Sequence, residues 1–178
     1  MCNSRATMPS SRRRPLKAVG LAALFALTMT APASSDSLRQ SSAAIARGDY
    51  LRAARLLTPA AAAGNARAEA MLGFLYENGF GVPQAHDVAA DLYRRSADRG
   101  DPSGQYLLGL MYDKGHGVER NEVLAYKWLN LAAAGASPRE RENYAKLRDA
   151  VASKMSPNQV HEGQSLALDW RPVNGSHR

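Results

Sequence analysis

The sequence of 178 residues contains a single cysteine, Cys2. One thiol cannot form an intramolecular disulfide, and a thiolate zinc site needs several cysteines at fixed spacing. The fold must therefore be held by packing, and the roughly 145 residues that follow the N-terminal segment are enough for one domain with a continuous core. The scarcity of cysteine excludes a disulfide-stapled or cysteine-ligated protein.

Motifs that carry catalysis or cofactor binding are missing as well. The sequence has no phosphate-binding loop, dinucleotide fingerprint or G-x-S-x-G elbow, and it lacks the strands on which those motifs depend. The histidines are not spaced to place two imidazoles on one helical face for zinc. They are His86, His116, His161 and His177. We therefore expect no metal, no cofactor and no enzymatic activity.

A long apolar run is also absent, and the first 33 residues instead show the three parts of a signal peptide. A basic start precedes a weakly apolar run from Ala18 to Met29, which is too short to span a bilayer stably, and an A-x-A motif ends at Ala33. We predict a signal peptide over residues 1–33 and a periplasmic or secreted protein, with no membrane insertion after cleavage. The alternative is a buried or membrane-anchoring first helix.

The export route stays open between two pathways. The segment from Ser11 to Lys17 resembles a twin-arginine signal, but Pro15 stands where that signal usually carries an aromatic residue. A protein without a cofactor gains little from export in the folded state, so we favour the general secretory route. Met8 is an alternative start to Met1.

The net charge depends on this N-terminal segment. The whole sequence carries 23 basic and 16 acidic residues, a net charge of +7. Five of the basic residues and none of the acidic ones precede residue 34, which leaves 18 against 16, or +2. Nucleic-acid binding requires several Lys or Arg clustered on one face, so this balance argues against it.

The rest of the chain repeats itself at an offset of 36 residues, the length of a two-helix unit. Apolar residues at positions i, i+3, i+4 and i+7 predict two helices in each unit. The matching pairs are Leu72 with Leu108, Gly73 with Gly109, Tyr76 with Tyr112, Gly79 with Gly115, Gly81 with Gly117, Ala89 with Ala125 and Ala97 with Ala133.

The glycines of these units have two structural roles, one in the loops and one inside the helices. Two glycines in each loop can take positive φ and end the first helix. Gly73 and Gly109 lie inside predicted helices, at a cost of about 1 kcal/mol each relative to Ala. That cost makes sense if the second helix packs directly against the backbone of the first.

The same pattern extends in both directions and predicts an all-α solenoid of about eight helices in four hairpins. Ser137-Pro138-Arg139-Glu140 and Ser156-Pro157-Asn158-Gln159 each predict a capping box that starts a helix. The predicted organisation is an N-terminal hairpin or partial repeat at 34–66, repeats at 67–101 and 102–136, capping helices at 137–171 and a disordered tail at 172–178.

Residues 68–100, with Leu72-Gly73 and the loop from Gly79 to Gln84, resemble a Sel1-like repeat, a relative of the tetratricopeptide repeat. Residues 104–135 resemble a second one, and the stretch from Leu124 to Trp170 is similar to the C-terminal end of many bacterial members. The resemblance implies an α/α solenoid that acts as a scaffold or adaptor and is often exported. A disulfide-rich branch credited with β-lactam hydrolysis carries a cysteine pair in each repeat, which this chain lacks.

In solenoids of this kind the first helices line the concave surface, where a peptide or helix binds. The side of these helices opposite the core carries large side chains rimmed by charges, the composition of a protein-binding patch. The candidate binding residues are Arg67, Ala70, Phe74, Glu77, Asn78, Ser103, Tyr106, Leu110, Asp113 and Lys114. The alternative is that they pack against the capping helices or neighbouring repeats.

The sequence therefore favours a monomeric, non-enzymatic module that binds a protein of the bacterial cell envelope as an adaptor, scaffold or regulator. Alternatively, the module is secreted and binds a host protein. A second class is an enzyme or enzyme subunit acting on cell-wall or sugar substrates through carboxylates such as Glu77 and Asp113. A third is a structural protein that self-associates through its end helices. No motif identifies the partner.

Overall fold

The computed structural model describes residues 33–173, with side chains from residue 36, and this range contains eight α-helices and no strand. The predicted all-α class and helix number are confirmed. The predicted signal peptide lies outside the described residues except for Ala33, the first residue of α1. The helices are α1 (Ala33–Ala46), α2 (Tyr50–Ala62), α3 (Ala66–Asn78), α4 (His86–Asp98), α5 (Pro102–Lys114), α6 (Glu122–Gly135), α7 (Pro138–Ala152) and α8 (Pro157–Leu168).

Short polar side chains start five of these helices. At four N-caps the side chain accepts a hydrogen bond from the backbone N–H three residues later, which satisfies a donor that the first helical turn leaves free. These residues are Asp49, Asn65, Asp101 and Asn121. At α8, Ser156 and Gln159 exchange reciprocal bonds, so the predicted capping box is confirmed there.

The capping box predicted at Ser137 is wrong. The Ser137 hydroxyl donates to the carboxylate of Glu140, with 2.6 Å between Oγ and Oε2, and accepts no bond from the backbone of α7. Pro138 still marks the helix start, because its fixed φ suits the first helical position.

The glycines inside the first helices allow the close helix approach that the sequence predicts. A Cβ at Gly73 would lie 2.7 Å from Cε1 of Tyr93 on α4, and a Cβ at Gly109 would lie 2.8 Å from Cγ of Leu129 on α6. Carbon atoms in favourable contact are about 3.5–4.0 Å apart. Only glycine therefore permits this spacing between the two helices of each repeat.

The two glycines of each long loop have different tasks. The first ends the helix in the left-handed conformation, at φ 68° for Gly79 and 73° for Gly115. The second contacts the preceding unit, because a Cβ at Gly81 would lie 2.5 Å from the backbone of Tyr50 and Leu51 at the start of α2. A Cβ at Gly117 would likewise collide with the carbonyl oxygen of the first residue of α4. Each loop is thus seated on the second helix of the unit before it.

Helices α3 and α5 lie on the inner side of the stack. Consecutive helices pair as α1 with α2, α3 with α4, and α5 with α6. In addition α3 packs along α5, whereas α4 and α6 make no comparable contact. Helices on the inner side of a curved repeat array lie closer together than those on the outer side, so α3 and α5 belong to the concave face.

The core between the two layers follows the repeat. Leu57, Tyr93 and Leu129 occupy the same position in α2, α4 and α6, and all three are fully buried. Alanines one turn before and after them keep the helices close, which lets the large side chains interdigitate. These buried alanines are Ala53, Ala61, Ala89, Ala97, Ala125 and Ala133.

The last two helices do not stack as a simple further hairpin. Both α7 and α8 pack against α6, and each contacts α6 more extensively than it contacts the other. A Cβ at Gly163 would lie 2.8 Å from Cδ1 of Tyr126, so α8 crosses α6 at close range. The pair therefore covers the end of the repeat array.

The segment after α8 returns to the body of the fold. The ring of Trp170 meets the ring of Trp128 edge-on, with 6.2 Å between centroids. The backbone N–H of Val173 donates to the carbonyl oxygen of Asp98 at 2.7 Å. Val173, which the sequence assigns to a disordered tail, is thus bonded to the end of α4, and residues 174–178 lie outside the described part of the chain.

Candidate protein-binding groove

A groove opens on the inner face between α1, α3 and α5. Its central cavity has a volume of about 190 Å³ and is mostly apolar. Three consecutive units contribute side chains, so the shape of the groove depends on how the units stack. The lining residues are Ile45, Arg67, Ala70, Met71, Phe74, Ser103 and Leu107.

A shallower cavity of about 580 Å³ continues the groove along α1. Leu38, Arg39 and Ser42 line it from α1, and Arg67 and Met71 line it from α3. Because Arg67 and Met71 belong to both cavities, the two form one continuous surface.

Phe74 presents the largest apolar side chain of the groove. It is 36% exposed, which is unusual for a phenylalanine, and its ring meets the ring of Phe80 edge-on at 5.9 Å between centroids. Phe80, in the loop after α3, stacks on Tyr50 at 4.5 Å. These contacts fix the orientation of Phe74 while one side of its ring remains open to a ligand.

The groove is positively charged. Its lining contains two arginines, Arg39 and Arg67, and no carboxylate. Both arginines are exposed, and neither forms an ion pair with the described residues. The Arg67 guanidinium donates to Oγ of Ser103 at 3.3 Å, a bond that joins the two repeats across the groove.

Four of the ten candidate residues meet in this groove, namely Arg67, Ala70, Phe74 and Ser103. Ala70 is only 3% exposed, so it supplies part of the buried wall and little contact area. The predicted patch is therefore divided: these four residues line the groove, and the other six candidates lie elsewhere.

The C-terminal cap covers part of α5. Tyr106 stacks on Tyr144 of α7 with 4.3 Å between ring centroids. The carboxylate of Asp113 pairs with the ammonium of Lys154 at 2.9 Å. Tyr106 thus packs against a capping helix and Asp113 is bound by the turn between α7 and α8, as the alternative interpretation expects, and neither lines the groove.

The remaining candidates also lie outside the lining. Glu77 accepts a hydrogen bond from the Tyr93 hydroxyl at 2.8 Å, and the Asn78 amide donates to the carbonyl oxygen of Phe74 in its own helix. Burial and the nearby Glu77 charge raise the pKa of Tyr93, so the hydroxyl keeps the proton that it donates. Leu110 is half-buried and Lys114 exposed, and neither reaches the cavity.

Sequence reasoning missed six lining residues. Met71 and Leu107 were assigned to the core stripe, although they stand at equivalent positions one repeat apart and face the groove together. The other four belong to α1, which received no site residues: Leu38, Arg39, Ser42 and Ile45. The recurrence of a large apolar residue at the Met71 position was the available signal.

A buried charge cluster lies away from the groove, between α3 and α4. The Glu69 side chain is 1% exposed and pairs with Arg99 at 2.8 Å and with Arg95 at 3.3 Å. Burial raises the pKa of Glu69 above its ordinary value, and the two guanidinium groups oppose that shift. The cluster fastens the two helices of the first repeat to each other.

Two further properties concern metals and membranes. Within residues 33–173, no three His, Cys, Asp or Glu side chains converge to hold a metal ion, although the rings of His86 and His116 lie 5.5 Å apart. None of the eight described helices combines the length and the apolar character needed to cross a bilayer.

The Sel1 repeat family matches residues 42–65, 66–101 and 102–137, more than half of the sequence. The chain belongs to the Sel1 repeat family. The second and third matches contain α3–α4 and α5–α6, two of the three units that line the groove. Sel1 repeat proteins typically mediate protein–protein interactions.

Solved structures share this architecture. A Sel1 repeat protein from Oxalobacter formigenes is 34% identical, with a TM-score of 0.53 over 64% of this chain and 88% of that protein. A protective antigen present in uropathogenic Escherichia coli strains has an SLR fold and is 23% identical, with a TM-score of 0.70 over 77% of this chain; this likeness concerns the fold alone. The chain spans only 29% of that antigen. None of the curated proteins matches the sequence.

Proposed function

We propose that this Sel1 repeat chain is a non-enzymatic binding module that holds a segment of another protein in the groove between α1, α3 and α5. The supporting observation is an apolar cavity, open to solvent, built from three consecutive units around the exposed ring of Phe74. An amphipathic segment binds such a groove by burying its apolar side chains between parallel helices.

We further propose that the module acts in the cell envelope after export, as an adaptor, scaffold or regulator. The support is the order of residues before position 34, where a basic start precedes a short apolar run and an A-x-A motif. Cell fractionation with N-terminal sequencing of the recovered protein tests this part. Recovery from the periplasm or medium with residues 1–33 removed is expected, and an uncleaved chain in the cytoplasm would contradict export.

Site-specific crosslinking in living cells tests the groove. A photoreactive amino acid at Ser42, exposed in the groove, is compared with one at Arg55, exposed on α2 outside it. We expect a crosslinked protein from position 42 and none from position 55. Crosslinks only to further copies of the chain would instead favour self-assembly, and equal crosslinking from both positions would mean that the groove is not the binding site.

Two alanine substitutions separate binding from stability. Phe74→Ala should weaken capture of the crosslinked protein at least about tenfold, since exposed aromatic anchors dominate such interfaces, while the thermal midpoint falls by only a few degrees. Tyr106→Ala should lower the free energy of unfolding by about 2–3 kcal/mol, because its ring stacks on Tyr144. Unchanged capture by Phe74→Ala would contradict the proposed site.

A further inference from the structure

Two arginines and no carboxylate line the groove, which makes the groove positively charged. In the described residues, Arg95 and Arg99 share the carboxylate of Glu69, and Arg120 pairs with Glu122. Arg39 and Arg67 line an apolar surface and have no carboxylate partner there. Their charge is therefore available to a ligand.

The position of Arg67 adds to this local positive field. It is the second residue of α3, in the first turn, where the macrodipole of a helix is positive and acidic side chains are favoured. A cation at this place raises the electrostatic energy of the free protein. An anion bound beside Arg67 would interact favourably with both the guanidinium group and the helix N-terminus.

The bond between Arg67 and Ser103 directs the guanidinium across the groove. The Oγ of Ser103 accepts one of the five N–H donors of Arg67 at 3.3 Å and leaves the others free. Arg39 lies on the facing helix α1 and lines the same shallow cavity. Two carboxylates of the helices that flank the groove are engaged elsewhere, Glu77 by Tyr93 and Asp113 by Lys154.

We infer that the partner segment is an acidic, amphipathic peptide: a carboxylate side chain lies between Arg39 and Arg67, and a large apolar side chain close to it in sequence enters the cavity beside Met71 and Phe74. This inference rests on the proposed function and specifies its ligand. The two cavities share Arg67 and Met71, which places the charged and apolar contacts side by side. Two arginines are too few for the phosphate backbone of a nucleic acid.

The same charge argument disfavours the chain's own N-terminal segment as the occupant. Residues 1–33 contain five basic residues and no acidic one, so they would bring like charges to the arginines. An acidic segment of a different protein would instead bring carboxylates to the two arginines, and its apolar side chains could still enter the cavity.

A peptide selection on the full-length purified chain tests the inference. A library of short random peptides displayed on phage is selected on the wild type and on the double variant Arg39→Glu/Arg67→Glu. The matched control is Arg52→Glu/Arg55→Glu, which makes the same charge change on exposed residues of α2 that line neither cavity. Circular dichroism and thermal melting confirm that each variant is folded.

We expect wild-type-selected peptides to share an Asp or Glu near a large apolar residue. The best peptide should bind the groove variant about tenfold or more weakly and the control nearly unchanged, and its affinity for the wild type should fall as salt rises. Replacing its acidic residue by Asn or Gln should remove most of the difference between wild type and groove variant.

Three results would overturn the inference in distinguishable ways. Apolar peptides without an acidic consensus that still require Phe74 would contradict the ligand chemistry and leave the proposed function standing. Failure to select any peptide that depends on the groove would count against both. Sedimentation that shows self-association of the wild type, abolished in Arg39→Glu/Arg67→Glu, would identify a second copy as the occupant instead.

Discussion

The two complete repeats use the same backbone frame and fill it with different side-chain contacts. Each brings its helices together at a glycine, Gly73 or Gly109, and seats its loop on the preceding unit. The first repeat fastens α3 to α4 with the buried ion cluster of Glu69. At the equivalent position of the second, buried Gln105 donates to the carbonyl oxygen of Ala97. The backbone approach is therefore the common requirement, and the polar contacts are adapted to each unit.

Their inner faces differ as well. The first repeat leaves Phe74 exposed to the groove, whereas the second has Tyr106 under α7 and Asp113 bound to Lys154. The C-terminal end of the array is thus capped, and the candidate site lies on the units that precede the cap. Whether a repeat of this type can bind a partner therefore depends on which of its surfaces the neighbouring units cover, as well as on its own residues.

The largest expected effect comes from exchanging the buried polar residues of the two repeats. Gln105→Glu should lower the free energy of unfolding by about 3–5 kcal/mol at neutral pH, because it buries a carboxylate that has no cationic partner. In the first repeat Arg95 and Arg99 pair with Glu69, but the equivalent positions of the second repeat hold Leu131 and Gly135. Denaturant unfolding measures the loss, which should shrink at acidic pH as the new carboxyl becomes neutral. A loss below about 1 kcal/mol would show that the site solvates a charge.

The reverse exchange, Glu69→Gln, should change stability at neutral pH by less than about 1.5 kcal/mol, since the half-exposed arginines can turn to water. Burial raises the folded-state pKa of Glu69 above its ordinary value of 4.5, so the folded state keeps a proton that the unfolded state releases. The stabilisation that comes from this bound proton is fully present below pH 4.5 and is lost as the pH rises through the pKa of Glu69 in the folded state. Glu69→Gln should remove this decline, which unfolding curves across that pH range would detect.

The loop contact common to both repeats gives an effect second in size to that of Gln105→Glu. Gly117→Ala should cost about 2–4 kcal/mol, because the new methyl group collides with the backbone of His86 and φ is 65°. Gly48→Ala is the matched control, since φ is 75° and no atom lies within 4 Å of the added Cβ; it should cost about 1 kcal/mol. Equal melting temperatures for the two variants would mean that the loop shifts without penalty.

A last comparison concerns the two helix contacts directly. Gly73→Ala should destabilise the protein by about 1–2 kcal/mol more than Gly109→Ala, because Tyr93 is a rigid ring held by Glu77 while the Leu129 side chain can adjust its rotamer. Paired chemical denaturation curves measure the difference. The opposite order would show that the hydroxyl bond does not restrain the ring.

The sequence predicted most of the fold because the strongest constraints are local or periodic. The leucine and glycine spacing marks the helix pairs, and Gly73 and Gly109 make sense only where two helices touch. The Ser137 capping box failed because a carboxylate three residues on can bond the hydroxyl directly instead of its backbone. A sequence pattern does not decide between these two local partners.

The groove was only partly predictable, since periodicity defines the face of a helix but not which neighbours cover it. Met71 lies at the margin of the core stripe and lines the cavity between α1 and α5. Ile45 could not be found by the offset of 36 residues, because a short connection joins α1 to α2 where the later units have long glycine loops. The residue 36 positions after Ile45 is Gly81, which lies in a loop.

The return of the C-terminal segment has a consequence for how the molecule unfolds. In an ideal repeat array each unit contacts only its neighbours, so the ends can fray one unit at a time. Here the bond from Val173 to Asp98 and the contact of Trp170 with Trp128 connect the last segment to α4 and α6. The end of the chain therefore ties units that are not adjacent, and the domain gains cooperativity that stacking of neighbours alone would not provide.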